Sequence, residues 1–149
     1  MSVSIAKVLL VDDSKFLRMA TERILCKAGF EVCTAADGEE GLRLAIDQLP
    51  DIILLDMMLP KISGLEVLKT LKATSATMDI PVIVLTSLSQ KNEEKLLHEG
   101  AAAYFHKSAL DLDKNSNRLT VAIETVLRQA QHQKDLALLL RASTAKAGL

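Results

Sequence analysis

Asp12, Asp13, Asp56, Thr86 and Lys107 are the residues of this sequence whose types could do chemistry together. Each follows a short, mostly apolar run, the signature of a strand that ends where the polar residue begins. Three carboxylates brought together repel and raise one another's pKa unless a cation sits among them. Mg²⁺ suits such a place, because it is a hard ion that takes one or two carboxylates, keeps several waters and fills the rest of its shell with phosphate oxygens. Asp56 is then a carboxylate nucleophile able to form an acyl phosphate. Phosphoryl transfer asks mainly for charge neutralisation on the transferred oxygens. Lys107 offers a mobile positive donor for that purpose, and the Thr86 hydroxyl offers a hydrogen bond. Taken alone, Asp56 fits a turn residue or a helix cap equally well, so the surrounding elements decide.

Those elements alternate. Residues 6–11 read as a first strand, and Ser14 is placed to cap a helix that carries Phe16, Leu17, Ala20, Ile24, Leu25 and Ala28 at helical spacing until Gly29 stops it. Residues 31–35 read as a second strand. After Asp37-Gly38, a helix presents Gly41, Leu42, Ala45, Ile46 and Leu49 and closes at Pro50. The unbroken apolar run 52–55 is a central parallel strand covered on both faces. A third helix starts at Leu65, the fourth strand spans 80–85, a fourth helix covers roughly 90–99, and residues 102–106 form a fifth strand. A polar loop, 108–117, precedes a last helix from Arg118 with Leu119, Ala122, Ile123, Val126, Leu127 and Ala130 on one face. Strands and helices in strict alternation imply right-handed crossovers and a parallel sheet with helices on both sides. In such a sheet the strand ends share one edge, where ligands bind, so residues far apart in sequence become neighbours there.

A chain of 149 residues with 49% hydrophobic and 25% charged content and a formal net charge of -1 is the size and composition of one globular domain. Without a basic excess, it is not expected to contact nucleic acid. Its apolar runs are far shorter than the roughly 18 to 20 residues of a membrane span, and the N-terminus lacks the design of a signal peptide, so a cytoplasmic location is expected. Cys26 and Cys33 have no metal-binding spacing and read as buried free thiols. His98, His106 and His132 are scattered and read as structural or solvated.

The ordered set Leu10-Val11-Asp12-Asp13, Leu55-Asp56-Met57-Met58-Leu59-Pro60 with Gly64 eight residues after the aspartate, Thr86-Ser87, and Gly100-Ala101 leading to Tyr104 and Lys107 resembles the receiver domain of two-component response regulators. The resemblance covers residues 5 to about 130. It implies a flavodoxin-like (βα)5 three-layer sandwich, with a five-stranded parallel sheet in the order 2-1-3-4-5. It also implies that a sensor histidine kinase or a phosphotransfer protein phosphorylates Asp56. By the same resemblance Asp13, Asp56 and the backbone carbonyl of Met58 would ligate Mg²⁺, Asp12 would act through water, and Thr86 and Tyr104 would form the switch pair. The expected product is a phosphorylation-dependent surface, made by the fourth helix, fifth strand and fifth helix, presented to a downstream protein. The protein would be a monomer or a phosphorylation-dependent dimer. The resemblance implies no enzyme in the metabolic sense; self-phosphorylation and self-dephosphorylation serve switching.

The sequence departs from the family at Ser108, where proline usually follows the lysine in a cis peptide. A cis non-proline bond costs about 2.5 to 4 kcal/mol, so either the bond is trans or the loop enforces cis. Met58 and Leu88, two residues after Asp56 and Thr86, are apolar and cannot orient a water, so slow self-dephosphorylation is expected. That hypothesis fails if Met58→Asn combined with Leu88→Glu leaves the hydrolysis rate unchanged. Residues 1–130 are read as the receiver domain, and 131–149 as a helical extension with a frayed end from about Ala142. An extension of that length is too short for an output domain. The expectation is a single-domain signalling protein, with the receiver fragment of a larger regulator or hybrid kinase as the alternative. Dehalogenase-type phosphohydrolase chemistry needs an acid two residues after the nucleophile, where Met58 stands. A flavin module wants a phosphate loop after the first strand, where Asp12-Asp13 would repel the phosphate.

Overall fold

The computed structural model describes residues 5–87, 93–107 and 117–147. In chain order these form β1 (Lys7–Val11), α1 (Lys15–Lys27), β2 (Glu31–Ala35), α2 (Gly38–Gln48), β3 (Ile52–Asp56), α3 (Gly64–Ala73), β4 (Val82–Thr86), α4 (Glu93–His98), β5 (Ala103–His106) and α5 (Arg118–Ala147). The strands pair in parallel in the order β2-β1-β3-β4-β5, as the flavodoxin-like resemblance implies.

Side chains alternate across a strand with period two, and each central strand therefore feeds two cores. Leu9, Val11, Ile53, Leu55, Val82 and Val84 pack against Ala45 of α2, Val67, Leu68 and Leu71 of α3 and Leu96 of α4. Val8, Leu10, Ile52, Leu54, Ile83 and Leu85 face the other way, onto Leu25 of α1 and Leu119, Ile123 and Val126 of α5. This two-sided burial explains why β3 and β4 read as continuous apolar runs. In the register Val11 lies beside Leu55, Asp56 beside Leu85 and Thr86 beside His106, which brings the carboxyl ends of β1, β3, β4 and β5 to one edge.

Local signals account for most boundaries. Ser14 caps α1 by accepting from the Leu17 N–H at 3.4 Å, and Gly29 turns the chain out at φ +96°. Asp37 caps α2 through the Glu40 N–H at 2.9 Å, and Leu49 ends that helix in the left-handed region at φ 45° before Pro50.

Three expectations are corrected. Cys26 is exposed on the last turn of α1; only Cys33 is partly buried, its thiol 3.7 Å from the Val8 carbonyl. Phe16 is 74% exposed, because α1 seats Thr21 and Leu25 on the sheet and turns its first residues outward. Helix α5 does not fray at Ala142 but continues through Ala147. Its residues 131–143 all lie exposed, Leu136, Leu138, Leu139 and Leu140 among them. Leu88, the Lys107–Ser108 bond and the loop 108–116 lie outside the described residues. No helix among the described residues is long and apolar enough to cross a membrane.

Candidate functional site

The site is built where strands stop. Strand β1 delivers Asp12, whose N–H still pairs with the Ala35 carbonyl at 3.1 Å and whose side chain is 2% exposed. Its Oδ1 accepts the Ser14 N–H at 2.9 Å. Asp13, one residue on, is exposed. Strand β3 ends in Asp56, also 2% exposed, with Oδ1 accepting the Met58 N–H at 3.1 Å and Oδ2 accepting Lys107 Nζ at 2.7 Å. Carboxylate oxygens of Asp12, Asp13 and Asp56 all come within 4.8 Å of one another. Lys107 also stands 3.8 Å from Asp12 Oδ2. It thus bridges the two buried acids, Asp56 and Asp12.

Burial pushes the Asp12 carboxyl above the ordinary carboxylate range; the Ser14 N–H and the Lys107 charge work against that, and the nearby Asp56 charge adds to it. An oxygen-only donor set of three carboxylates in a half-buried cleft fits a hard divalent cation. Imidazole and thiolate ligands, which softer metals prefer, are absent from this group.

Gly64 is what lets the loop after Asp56 fold back. A Cβ at that position would collide with the backbone of Asp56 and Met57, while the Gly64 N–H donates to the Met57 carbonyl at 3.1 Å. Ser63 then caps α3 through the Glu66 N–H at 3.2 Å. Met58 sits in this turn with its side chain 63% exposed and its N–H on Asp56. Thr86, 2% exposed, ends β4 next to Asp56's strand. Tyr104 lies one strand further, on β5, partly buried, its ring edge-on to His106 with centroids 6.1 Å apart and planes at 87°.

The structure therefore gathers the Asp12, Asp13 and Asp56 carboxylates within 4.8 Å of one another, places Lys107 on Asp12 and Asp56, and sets Thr86 and Tyr104 on the neighbouring strands. The family model for the response regulator receiver domain matches residues 8–120. The chain belongs to that family. Among its relatives, the transcriptional regulatory protein AfsQ1 of Streptomyces coelicolor is 35% identical over 127 residues, 85% of this chain and 53% of that protein. The gliding motility regulatory protein of Myxococcus xanthus is 43% identical over 109 residues, 72% of this chain and 14% of that protein. Among solved structures, the chemotaxis protein CheY4 of Vibrio cholerae superposes with a TM-score of 0.73 at 31% identity, covering 83% of this chain and 99% of that one. A CheY-like receiver domain protein of Methanospirillum hungatei gives 0.76 at 27% identity, covering 87% and 99%. This receiver spans about half the length of the transcriptional regulators it matches, 53% and 50% in two cases.

One residue beside the receiver's site, Arg18, escapes the sequence. Arg18 donates from Nη1 to the Asp12 carbonyl at 2.8 Å, although a basic residue in a first helical turn ordinarily reads as solvated. His106, which reads as structural or solvated, packs on Tyr104 and lies opposite Thr86 in the register of β4 and β5. Only the strand register reveals that.

Proposed function

We propose that this receiver is a phospho-acceptor switch in which Asp56 takes a phosphoryl group from a sensor histidine kinase or a phosphotransfer protein. The observation that carries the reading is the 2.7 Å contact between Lys107 Nζ and the buried Asp56 carboxylate, inside a cluster of three acids. Asp13, Asp56 and the Met58 carbonyl would hold Mg²⁺, with Asp12 acting through water. When bound, the ion neutralises charge on the phosphoryl oxygens. An Asp56 carboxylate oxygen bonds to phosphorus while the bond from phosphorus to the donor's imidazole nitrogen breaks, the electron pair leaving with that nitrogen. Lys107 follows the charge from the carboxylate to the new phosphoryl oxygens, and the Thr86 hydroxyl supplies a hydrogen bond to them.

Phosphorylation then biases a two-state face that includes α4, β5 and α5, with Thr86 and Tyr104 as the switch pair. A downstream protein reads that face, in the cytoplasm, from a monomer or a phosphorylation-dependent dimer. Residues 1–130 form the switching unit, and 131–149 are its C-terminal extension. The switch operates in the same way in a single-domain protein and as the receiver part of a larger regulator or hybrid kinase.

Intact mass after incubation with Mg²⁺ and acetyl phosphate tests the proposal. One phosphoryl increment is expected, dependent on Mg²⁺ and absent from Asp56→Asn. An increment that persists in Asp56→Asn sinks the assignment.

A further inference from the structure

We propose that Arg18 is a positioning residue that holds the acidic turn in the geometry Mg²⁺ requires; the proposal rests on the phospho-acceptor reading above. Strand β1 ends at Val11, so the Asp12 carbonyl lies past the last rung of the ladder. Arg18 reaches back from the first turn of α1 and donates to it at 2.8 Å. That carbonyl belongs to the planar peptide joining Asp12 to Asp13. Fixing its oxygen fixes the plane, and with it the direction in which the Asp13 carboxylate leaves the backbone.

A second bond pins the next peptide, because the Ser14 N–H donates to Asp12 Oδ1 at 2.9 Å. The two bonds together leave the Asp12-Asp13-Ser14 turn little freedom. Asp13 needs such a restraint: it is exposed, free of the packing that orients Asp12 and Asp56, and yet its carboxylate is held within 4.8 Å of theirs.

The placement makes little sense as helix stabilisation. A cation in a first turn opposes the helix dipole, and the first turn of α1 has no acidic residue to offset it. Arg18 finds its compensation in the Asp12 carbonyl and the acidic cluster beyond it. The guanidinium is also the suitable group, since it presents rigid, planar donors.

The experiment is a calorimetric Mg²⁺ titration of the full 149-residue chain, unmutated and as Arg18→Ala, Arg18→Lys and Arg18→Met. Loss of an outer-shell partner weakens metal affinity by about 10-fold or more, and that is the expected result for Arg18→Ala and Arg18→Met. Arg18→Lys, which keeps one donor and the charge, recovers most of the affinity. The Asp13 and Ser14 amide resonances of the metal-free protein shift in the Ala and Met variants, a change that generic destabilisation does not localise. Arg18→Met preserves the aliphatic stem and keeps the test available if Arg18→Ala unfolds. Mg²⁺ affinity in Arg18→Met within about twofold of the unmutated chain, far inside the range expected for an outer-shell partner, overturns the role of Arg18 alone. An unmutated chain that binds no Mg²⁺ overturns the reading of the site itself.

Discussion

Asp12→Asn should make the metal-free protein more stable at neutral pH while removing much of its stabilisation by Mg²⁺. At an effective dielectric of about 20, two charges no more than 4.8 Å apart repel by at least about 3.5 kcal/mol, and an opposite charge at 3.8 Å returns about 4 kcal/mol. The pairwise effects on Asp12 of Asp56 and Lys107 therefore nearly cancel, and what remains is the burial of a carboxylate that is 2% exposed. Asparagine keeps the oxygen that accepts the Ser14 N–H and removes the charge, so a gain of about 1 kcal/mol is expected. The pH dependence follows from the raised Asp12 pKa. Between the ordinary carboxylate pKa and the raised one, the folded state binds more protons than the unfolded state, so wild-type stability falls as pH rises through that window. Below it Asp12 is protonated in both states and the advantage of asparagine vanishes. Urea unfolding of both proteins across this pH range, with EDTA and with saturating Mg²⁺, measures each quantity. At 100 times its dissociation constant, the ion adds about 2.7 kcal/mol to a protein that binds it, and the variant should gain clearly less. A metal-free Asp12→Asn no more stable than wild type at neutral pH, or one that gains as much from Mg²⁺, refutes the reasoning.

Lys107→Met leaves the Asp56 carboxylate without its 2.7 Å partner. We expect a loss of about 2 kcal/mol in EDTA, below the range for fully buried pairs because Lys107 keeps some exposure, and a smaller loss in Mg²⁺; equal losses in both conditions would contradict the shared-cation picture. Gly64→Ala drives a methyl group into the backbone of Asp56 and Met57. A cost of about 3 kcal/mol is expected in urea unfolding, with slower phosphoryl uptake from acetyl phosphate because the turn after Asp56 must shift. Leu139→Gln together with Leu140→Gln touches only exposed positions of α5. Thermal unfolding should change by no more than about 0.5 kcal/mol, and a large loss would mean that this part of the helix is covered.

The apolar runs of β1, β3 and β4 were legible because both faces of those strands are buried, so nothing polar interrupts them until the residue that matters. Asp12 and Thr86 were legible for the same reason, each being the first polar residue after its run, and Asp56 closes the run of β3 in the same way; Asp13 and Lys107 stand one residue further on, behind Asp12 and His106. What the sequence hid depends on orientation. Phe16 has the right spacing for a core residue, but it stands on the outward side of the first turn of α1. The run of α5 through the polar stretch Gln131–Asp135 was legible, since none of those residues breaks a helix; its continuation past Ala142 to Ala147 was not. Arg18 left no pattern at all, since a side chain that reaches back to a carbonyl is found only by placing both.

Helix α5 has one further consequence. Its last buried residue is Val126, with Leu127 packed beside it, whereas 131–143 are all exposed, a span of about 20 Å at 1.5 Å per residue. The helix is a lever whose short arm lies on the sheet. A tilt of about 5° at Ile123 and Val126, too slight to unpack either, sweeps the leucine-bearing end through about 2 Å over that length, enough to change which surface those leucines can meet.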